Sequence, residues 1–115
     1  MSETEHLDHE ALAELQEVME DEFDILVNTY LSDSKVRIET LAHALADQDS
    51  DAFAKAAHSF KGSCINIGAL QLGDLCFTAE KAGKEGDLSD GQAMLEAINA
   101  EFRTVSRQLR DYLTD

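Results

Sequence analysis

The chain has 115 residues, of which 43% are hydrophobic, 24 are Asp or Glu and only nine are Lys or Arg, so its formal net charge is −15. A charge of this size and sign argues against binding to nucleic acids or to anionic membranes. Its uncharged runs fall far short of the roughly 18 apolar residues that a membrane-spanning helix needs, and the acidic start MSETEHLDHE has no signal-peptide pattern. We therefore expect a cytoplasmic protein with a single domain over residues 1–115.

The hydrophobic pattern predicts five helical segments and no strand. The first helix begins near Asp8, a residue type that caps helices well, after a tail over residues 1–7 that we expect to be flexible and acidic. The second helix begins near Asp21 and is long. Ser50 is the predicted cap of the third helix, which reaches Ile67.

Gly68 interrupts the helical pattern, and a fourth helix is predicted from Ala69 to about Lys84. The loop GKEGDLSDG follows, and within it Ser89 and Gln92 have the spacing of a capping box for the fifth helix. Four long helices joined by short turns predict an all-α protein: an antiparallel four-helix bundle with an additional short N-terminal helix.

Charge is unevenly distributed along the chain. The first 24 residues hold ten acids and no Lys or Arg, whereas residues 54–84 hold four lysines and only two acids. Those lysines are Lys55, Lys61, Lys81 and Lys84. We therefore predict that the third and fourth helices present the one non-acidic surface of the protein.

The segment AHSFKGSCINIGA, residues 57–69, places a single histidine on the third helix. At about 100° per residue, one apolar stripe of this helix holds Phe53, Ala57, Phe60, Cys64 and Ile67. His58 falls about 140° from Phe53 on the same projection, so its side chain should be at least half exposed. Gly62 follows one turn later on that side and costs about 1 kcal/mol relative to alanine. We interpret this glycine as clearance for another protein.

Glu80 lies on the flank of the fourth helix, and the sequence leaves two interpretations open. If this flank faces the third helix, the carboxylate accepts a hydrogen bond from Nδ1 of His58 and leaves Nε2 as the outward, more basic nitrogen. The alternative is an i,i+4 ion pair with Lys84, worth about 0.2–0.5 kcal/mol.

The segment HSFKGSCINIGA resembles the signature of histidine phosphotransfer (Hpt) domains, and LQLGDLCFTAEKAGKEGD resembles the helix that follows it in that family. The resemblance implies that His58 is phosphorylated on Nε2 and that Lys61 draws the phosphoryl oxygens. It further implies that Gly62 admits the partner, that Ser63 is the signature serine, and that Glu80 hydrogen-bonds the imidazole.

Two positions depart from the family signature. Phe60 stands where leucine is usual, and Cys64 replaces the second serine. Both lie on the predicted core stripe, so we expect phosphotransfer to be retained. Cys64 and Cys76 lack the spacing of a metal site and are predicted to be reduced core thiols.

The resemblance implies a phosphocarrier of a multistep phosphorelay. The expected partners are the receiver domains of a hybrid sensor histidine kinase and of a response regulator. The residues expected to dock them are Lys55, Ile65, Lys81 and Lys84. No P-loop or other nucleotide motif is present, so we expect no ATP-dependent kinase activity and no resident cofactor, with Mg²⁺ bound by the receiver. We expect a free-standing monomer.

Three alternatives belong to other classes of protein. A non-catalytic adaptor would sequester a receiver, and the phosphoacceptor domain of a chemotaxis-type kinase would belong to a longer chain. A metal-binding bundle would use Glu3, His6, His9 and Glu10, together with the i,i+4 pair Glu39 and His43. A solvated acidic end is the favoured interpretation of residues 1–10.

Overall fold

The computed structural model describes residues 6–113, and this range is helical without strands. The helices are α1 (His9–Met19), α2 (Glu22–Ala46), α3 (Ser50–Ile67), α4 (Leu70–Lys84) and α5 (Gly91–Asp111). Helices α2 to α5 form a ring in which each packs against the next and α5 closes against α2. Short connections make neighbours antiparallel, so the predicted four-helix bundle with a short N-terminal helix is confirmed. No helix in this range is both long and apolar enough to cross a bilayer.

One hydrophobic core fixes the orientation of α3. All five residues of its predicted apolar stripe are buried, and Phe53, Ala57, Phe60 and Cys64 are completely so. The Phe60 ring meets Phe102 of α5 edge to face, with 6.4 Å between centroids. Cys64 Sγ lies 3.3 Å from the Tyr30 hydroxyl of α2, and both cysteines are buried free thiols. Because this stripe is held from two sides, the opposite face of α3 is turned firmly outward.

A tight turn and a close helix approach set α4 against α3. Helix α3 ends at Gly68, whose φ of +86° lies in the left-handed region that favours glycine. At the other end of the hairpin, a Cβ on Gly83 would lie 2.8 Å from the Ala54 Cβ and 2.7 Å from the Ser50 carbonyl oxygen. Only glycine allows the two backbones to come this close, and the approach brings the last turns of α4 beside the first half of α3.

Two predicted helix caps are wrong. Asp49, not Ser50, caps α3 by accepting a hydrogen bond from the Ala52 amide at 3.0 Å. Ser89 does not form a capping box with Gln92, since its hydroxyl donates to Asp87 at 2.6 Å and α5 starts only at Gly91. In both places a nearby carboxylate, which is the stronger acceptor, determines the local hydrogen bonding.

The N-terminal segment is partly ordered against the bundle. Asp8 caps α1 as predicted, accepting from the Ala11 amide at 3.1 Å. The expectation of a flexible tail over residues 1–7 is wrong for the last two of them. Leu7 is only 1% exposed, because it fills the core at one end, and His6 Nδ1 lies 2.7 Å from Glu101 Oε2. Residues 1–5 lie outside the described range.

Candidate functional site

His58 projects from the outer face of α3, and its side chain is 67% exposed. The prediction of an imidazole at least half exposed is therefore confirmed. Its Nδ1 lies 2.9 Å from Oε2 of Glu80 on α4. This contact occupies the inner ring nitrogen and leaves Nε2 as the nitrogen available to a partner.

Glu80 is a buried carboxylate surrounded by three nitrogen groups. Its side chain is 5% exposed, and its Oε1 lies 3.0 Å from Lys61 Nζ of α3. Its Oε2 lies 3.1 Å from Lys84 Nζ on its own helix, in addition to the contact with His58. The two interpretations left open by the sequence therefore hold together: Glu80 pairs with Lys84 and also holds the imidazole.

The charge state of Glu80 determines the tautomer of His58. Burial by itself would raise the pKa of this carboxyl, but its contacts with Lys61, Lys84 and His58 outweigh burial and lower the pKa from 4.5 to about 2. Glu80 is thus ionised at neutral pH and can only accept hydrogen bonds. The contact then requires that His58 donates from Nδ1, so the neutral ring presents the Nε2 lone pair outward.

Lys61 lies between the carboxylate and an aromatic ring. Its ammonium is 5.1 Å from the centroid of Phe77 on α4, a cation–π contact. Phe77 is 53% exposed, so about half of this side chain is open to solvent. Phe77 was not predicted as a site residue. The available signal was an aromatic residue on the side of α4 away from the buried Leu72 and Cys76.

Gly62 faces open space. A Cβ at this position would meet nothing within 4 Å, whereas at Gly73 of α4 it would touch the Ile65 side chain at 3.4 Å. No close helix packing therefore accounts for Gly62 within residues 6–113. The glycine leaves bare backbone one turn beyond His58, on the exposed face of α3.

The other predicted residues differ in where they lie. Ile65, Lys55, Lys81 and Lys84 are exposed on α3 and α4, and of these Lys55 and Lys84 line the surface next to His58. Ser63 is half-buried and instead lines a small groove against α2 with Leu26 and Tyr30, so the structure does not bring it to the imidazole. Arg37 of α2, which the sequence analysis missed, donates from Nε to the Ser59 hydroxyl at 3.1 Å. Nothing in the sequence indicates this contact, because it depends on how α2 packs on α3.

The surface around His58 is an open depression rather than an enclosed pocket. Its volume is about 330 Å³. It is lined by Ala54, His58, Glu80, Lys84 and the ion-paired Asp51 and Lys55, whose charged groups are 3.1 Å apart. A small-molecule site normally buries most of its ligand. An exposed imidazole in such an open depression instead suits a reacting group that arrives on the surface of another macromolecule.

The residues considered for a metal site are engaged elsewhere or exposed. His6 bonds Glu101, and His9 Nδ1 lies 2.6 Å from the Tyr112 hydroxyl. Glu3 lies outside the described residues, and Glu39 and His43 are exposed on α2. Across residues 6–113, no group of three or more His, Cys, Asp or Glu side chains is placed to hold a metal ion.

Comparison with known proteins agrees with this geometry. The sequence model of the Hpt domain matches residues 25–114. A search of curated proteins found no match. The crystal structure of histidine-containing phosphotransfer protein B (HptB) from Pseudomonas aeruginosa PAO1 is similar to the chain with a TM-score of 0.91 and 38% sequence identity, over 95% of both chains. The domain model spans most of the sequence, and the similar structure covers nearly the whole bundle at 38% identity. The chain therefore belongs to the Hpt domain family.

Proposed function

We propose that this phosphotransfer carrier accepts its phosphoryl group on Nε2 of His58 from an aspartate of one receiver domain and passes it to an aspartate of another. The observation that supports this most directly is the exposed imidazole whose inner nitrogen is held by a buried, ionised Glu80. That arrangement fixes which nitrogen acts as nucleophile without blocking it.

The transfer needs no base from this chain. The Nε2 lone pair attacks phosphorus, an N–P bond forms, and the P–O bond of the aspartyl phosphate breaks, with the aspartate carboxylate leaving with the electron pair. The proton of His58 remains on Nδ1, so the phosphorylated ring is cationic. Glu80 is already in place to stabilise that positive charge and has no reorganisation to make.

Two lysines supply positive charge at the edge of the site. Lys61 and Lys84 share the single carboxylate of Glu80, so one positive charge is left over before phosphorylation. This surplus positive charge attracts the phosphoryl oxygens once they arrive, and the exposed side chain of Lys84 is free to turn toward them. The receiver contributes the phosphoaspartate and Mg²⁺, which is why this chain needs neither ATP nor a cofactor of its own.

The docking face extends from His58 across α3 and α4. On α3, Gly62 presents bare backbone and Ile65 is exposed; on α4, Phe77, Lys81 and Lys84 are exposed. An apolar centre with a polar rim is the usual composition of a transient interface, and the rim charge favours an acidic receiver. We expect the chain to act in the cytoplasm as a monomer.

Phosphoryl transfer from labelled receivers tests this function. Wild-type protein, His58→Gln and the control His43→Gln, which changes an exposed histidine of α2, are each incubated with phosphorylated receiver domains of the source organism. Wild type and His43→Gln should acquire acid-labile, base-stable label and return it to a second receiver, and His58→Gln should not. Label on His58→Gln would contradict the proposal, and receiver binding without any label would indicate an adaptor.

A further inference from the structure

A second basic cluster lies on the side of the bundle away from His58. It borders a groove of about 540 Å³ between α2 and α5, with Lys35 on one side and Arg103, Arg107 and Arg110 on the other. The His58 site lies between α3 and α4, which is the opposite seam of the four-helix ring. The prediction that residues 54–84 form the one non-acidic surface is therefore wrong.

Helix stability does not account for this cluster. Arg110 lies in the last turn of α5 and interacts favourably with the helix dipole, but that effect does not reach back to Arg103. Arg103 and Arg107 are four residues apart, Arg107 and Arg110 three apart, and like charges at these spacings destabilise a helix. In a chain with 24 acids, residues 102–110 contain none.

The four cations are available to a ligand. Lys35, Arg103, Arg107 and Arg110 are all exposed, and within residues 6–113 none of them is ion-paired. One carboxylate, that of Asp111, also lines the groove. Three of the chain's four arginines lie here, whereas the His58 seam is surrounded by lysines. Arginine is the residue that binds carboxylates through two parallel hydrogen bonds.

We propose that the α2–α5 groove binds an acidic helical segment of a protein partner. Arg103 and Arg110 are two helical turns apart, about 10 Å along the axis, which is too far for one small anion to bridge. Carboxylates at i, i+4 and i+7 of a helix laid along α5 have the same spacing as the arginines. The buried Phe102 and Ser106 form the floor on which the apolar side of such a helix rests.

The remaining charge of the molecule favours a short acidic segment over a nucleic acid or a bilayer. Each of those presents anionic surface far beyond the groove, and the first 24 residues of this chain alone hold ten acids. A single helix confines its negative charge to the groove. Because the groove is on the opposite seam, it can be filled while a receiver docks at His58. The binding itself does not depend on the proposed phosphotransfer.

Binding of a designed acidic peptide tests the groove. The probe is a fluorescent helical peptide with Glu at i, i+4 and i+7, and its control has Gln at those positions. The double variant Arg103→Gln/Arg107→Gln is compared with Lys55→Gln/Lys81→Gln, which removes the same charge from the other seam. Carbodiimide coupling, which joins Glu to Lys without a spacer, then locates the bound peptide by mass spectrometry.

The Glu peptide should bind, the Gln peptide should not, and added salt should weaken the complex. The arginine double variant should lose about tenfold or more in affinity while the lysine double variant is unchanged, and the crosslink should lie on Lys35. Absence of binding, equal loss in both variants, or crosslinks on Lys55, Lys81 or Lys84 would overturn the proposal. Tighter binding of anionic vesicles or single-stranded DNA through the same arginines would also overturn it. Unchanged circular dichroism of the variants confirms that they fold.

Discussion

At the residue scale, one buried carboxylate organises the site. Glu80 contacts the imidazole of His58 and the ammonium groups of Lys61 and Lys84. Because all three groups contact the same carboxylate, it holds them close to one another. The pair with Lys84 could be predicted from i,i+4 spacing alone. The contact with His58 was one of two interpretations that the sequence left open, and the contact with Lys61 was not predicted, because both depend on the rotation of α4 against α3.

Replacing Glu80 by alanine should release the tautomer of His58. The wild-type imidazole should carry its neutral-state proton on Nδ1, because only that tautomer donates to the carboxylate. Glu80→Ala should shift the proton toward Nε2 and slow phosphotransfer by about tenfold or more, as for other histidines that lose an orienting hydrogen bond. Long-range ¹H–¹⁵N NMR of the ring measures the tautomer. The neighbouring exposed Lys81→Ala should leave it unchanged, and an Nε2–H ring in the wild type would contradict the assignment.

Glu80 should also make the free energy of unfolding depend on pH. Its pKa is lowered from 4.5 to about 2 in the folded protein, so its contribution to the free energy of unfolding is complete above about pH 5 and is lost as the pH falls toward about 2. The contribution is at most about 3 kcal/mol, since two of its three partners are largely exposed and screened by water. Urea unfolding of wild type and Glu80→Gln at several pH values measures it. A stability difference that does not shrink on acidification would contradict this.

At the element scale, the α3–α4 hairpin positions the reacting groups. Gly83 permits the close backbone approach, and the core stripe of α3 fixes which side of that helix faces outward. The stripe could be predicted because it follows the helical period over five residues. The cap of α3 could not, because Asp49 and Ser50 are both good capping residues and the choice between them rests on a local hydrogen bond.

Two glycine substitutions should have opposite effects on stability. Gly62→Ala adds a Cβ into open space within a helix and should raise the free energy of unfolding by up to about 1 kcal/mol. Gly83→Ala forces a Cβ against the Ser50 carbonyl and Ala54 and should lower it by about 1–3 kcal/mol. Denaturant unfolding of both variants measures the difference.

The phosphotransfer rates of the same two variants should rank in the opposite order to their stabilities. Gly62→Ala should slow transfer from a phosphorylated receiver although it is the more stable protein, because a side chain at this position projects back over the turn that bears His58. Gly83→Ala, assayed under conditions where it remains folded, should be affected less. Equal transfer rates for Gly62→Ala and wild type would show that the bare backbone is not needed for docking.

At the scale of the whole molecule, the bundle presents two basic seams on a strongly acidic surface. The first could be predicted because its lysines and His58 lie within about thirty consecutive residues. The second was missed, although Arg103, Arg107 and Arg110 lie within eight residues; only their proximity to Lys35, about seventy positions earlier, depends on how α5 packs against α2. The burial of Leu7 was missed for a related reason. Leu7 packs against a core that exists only once the helices have assembled, and the acidic residues around it gave no sign of this contact.

We propose that Nε2 of His58 is the phosphoacceptor because Glu80 occupies Nδ1. The most direct measurement is ³¹P–¹⁵N NMR of the ¹⁵N-labelled protein after phosphorylation by a receiver, with the modified residue located by mass spectrometry. We predict one phosphohistidine, at His58, with phosphorus bonded to Nε2 and the proton retained on Nδ1. Phosphorus on Nδ1, or on any histidine other than His58, would contradict the account.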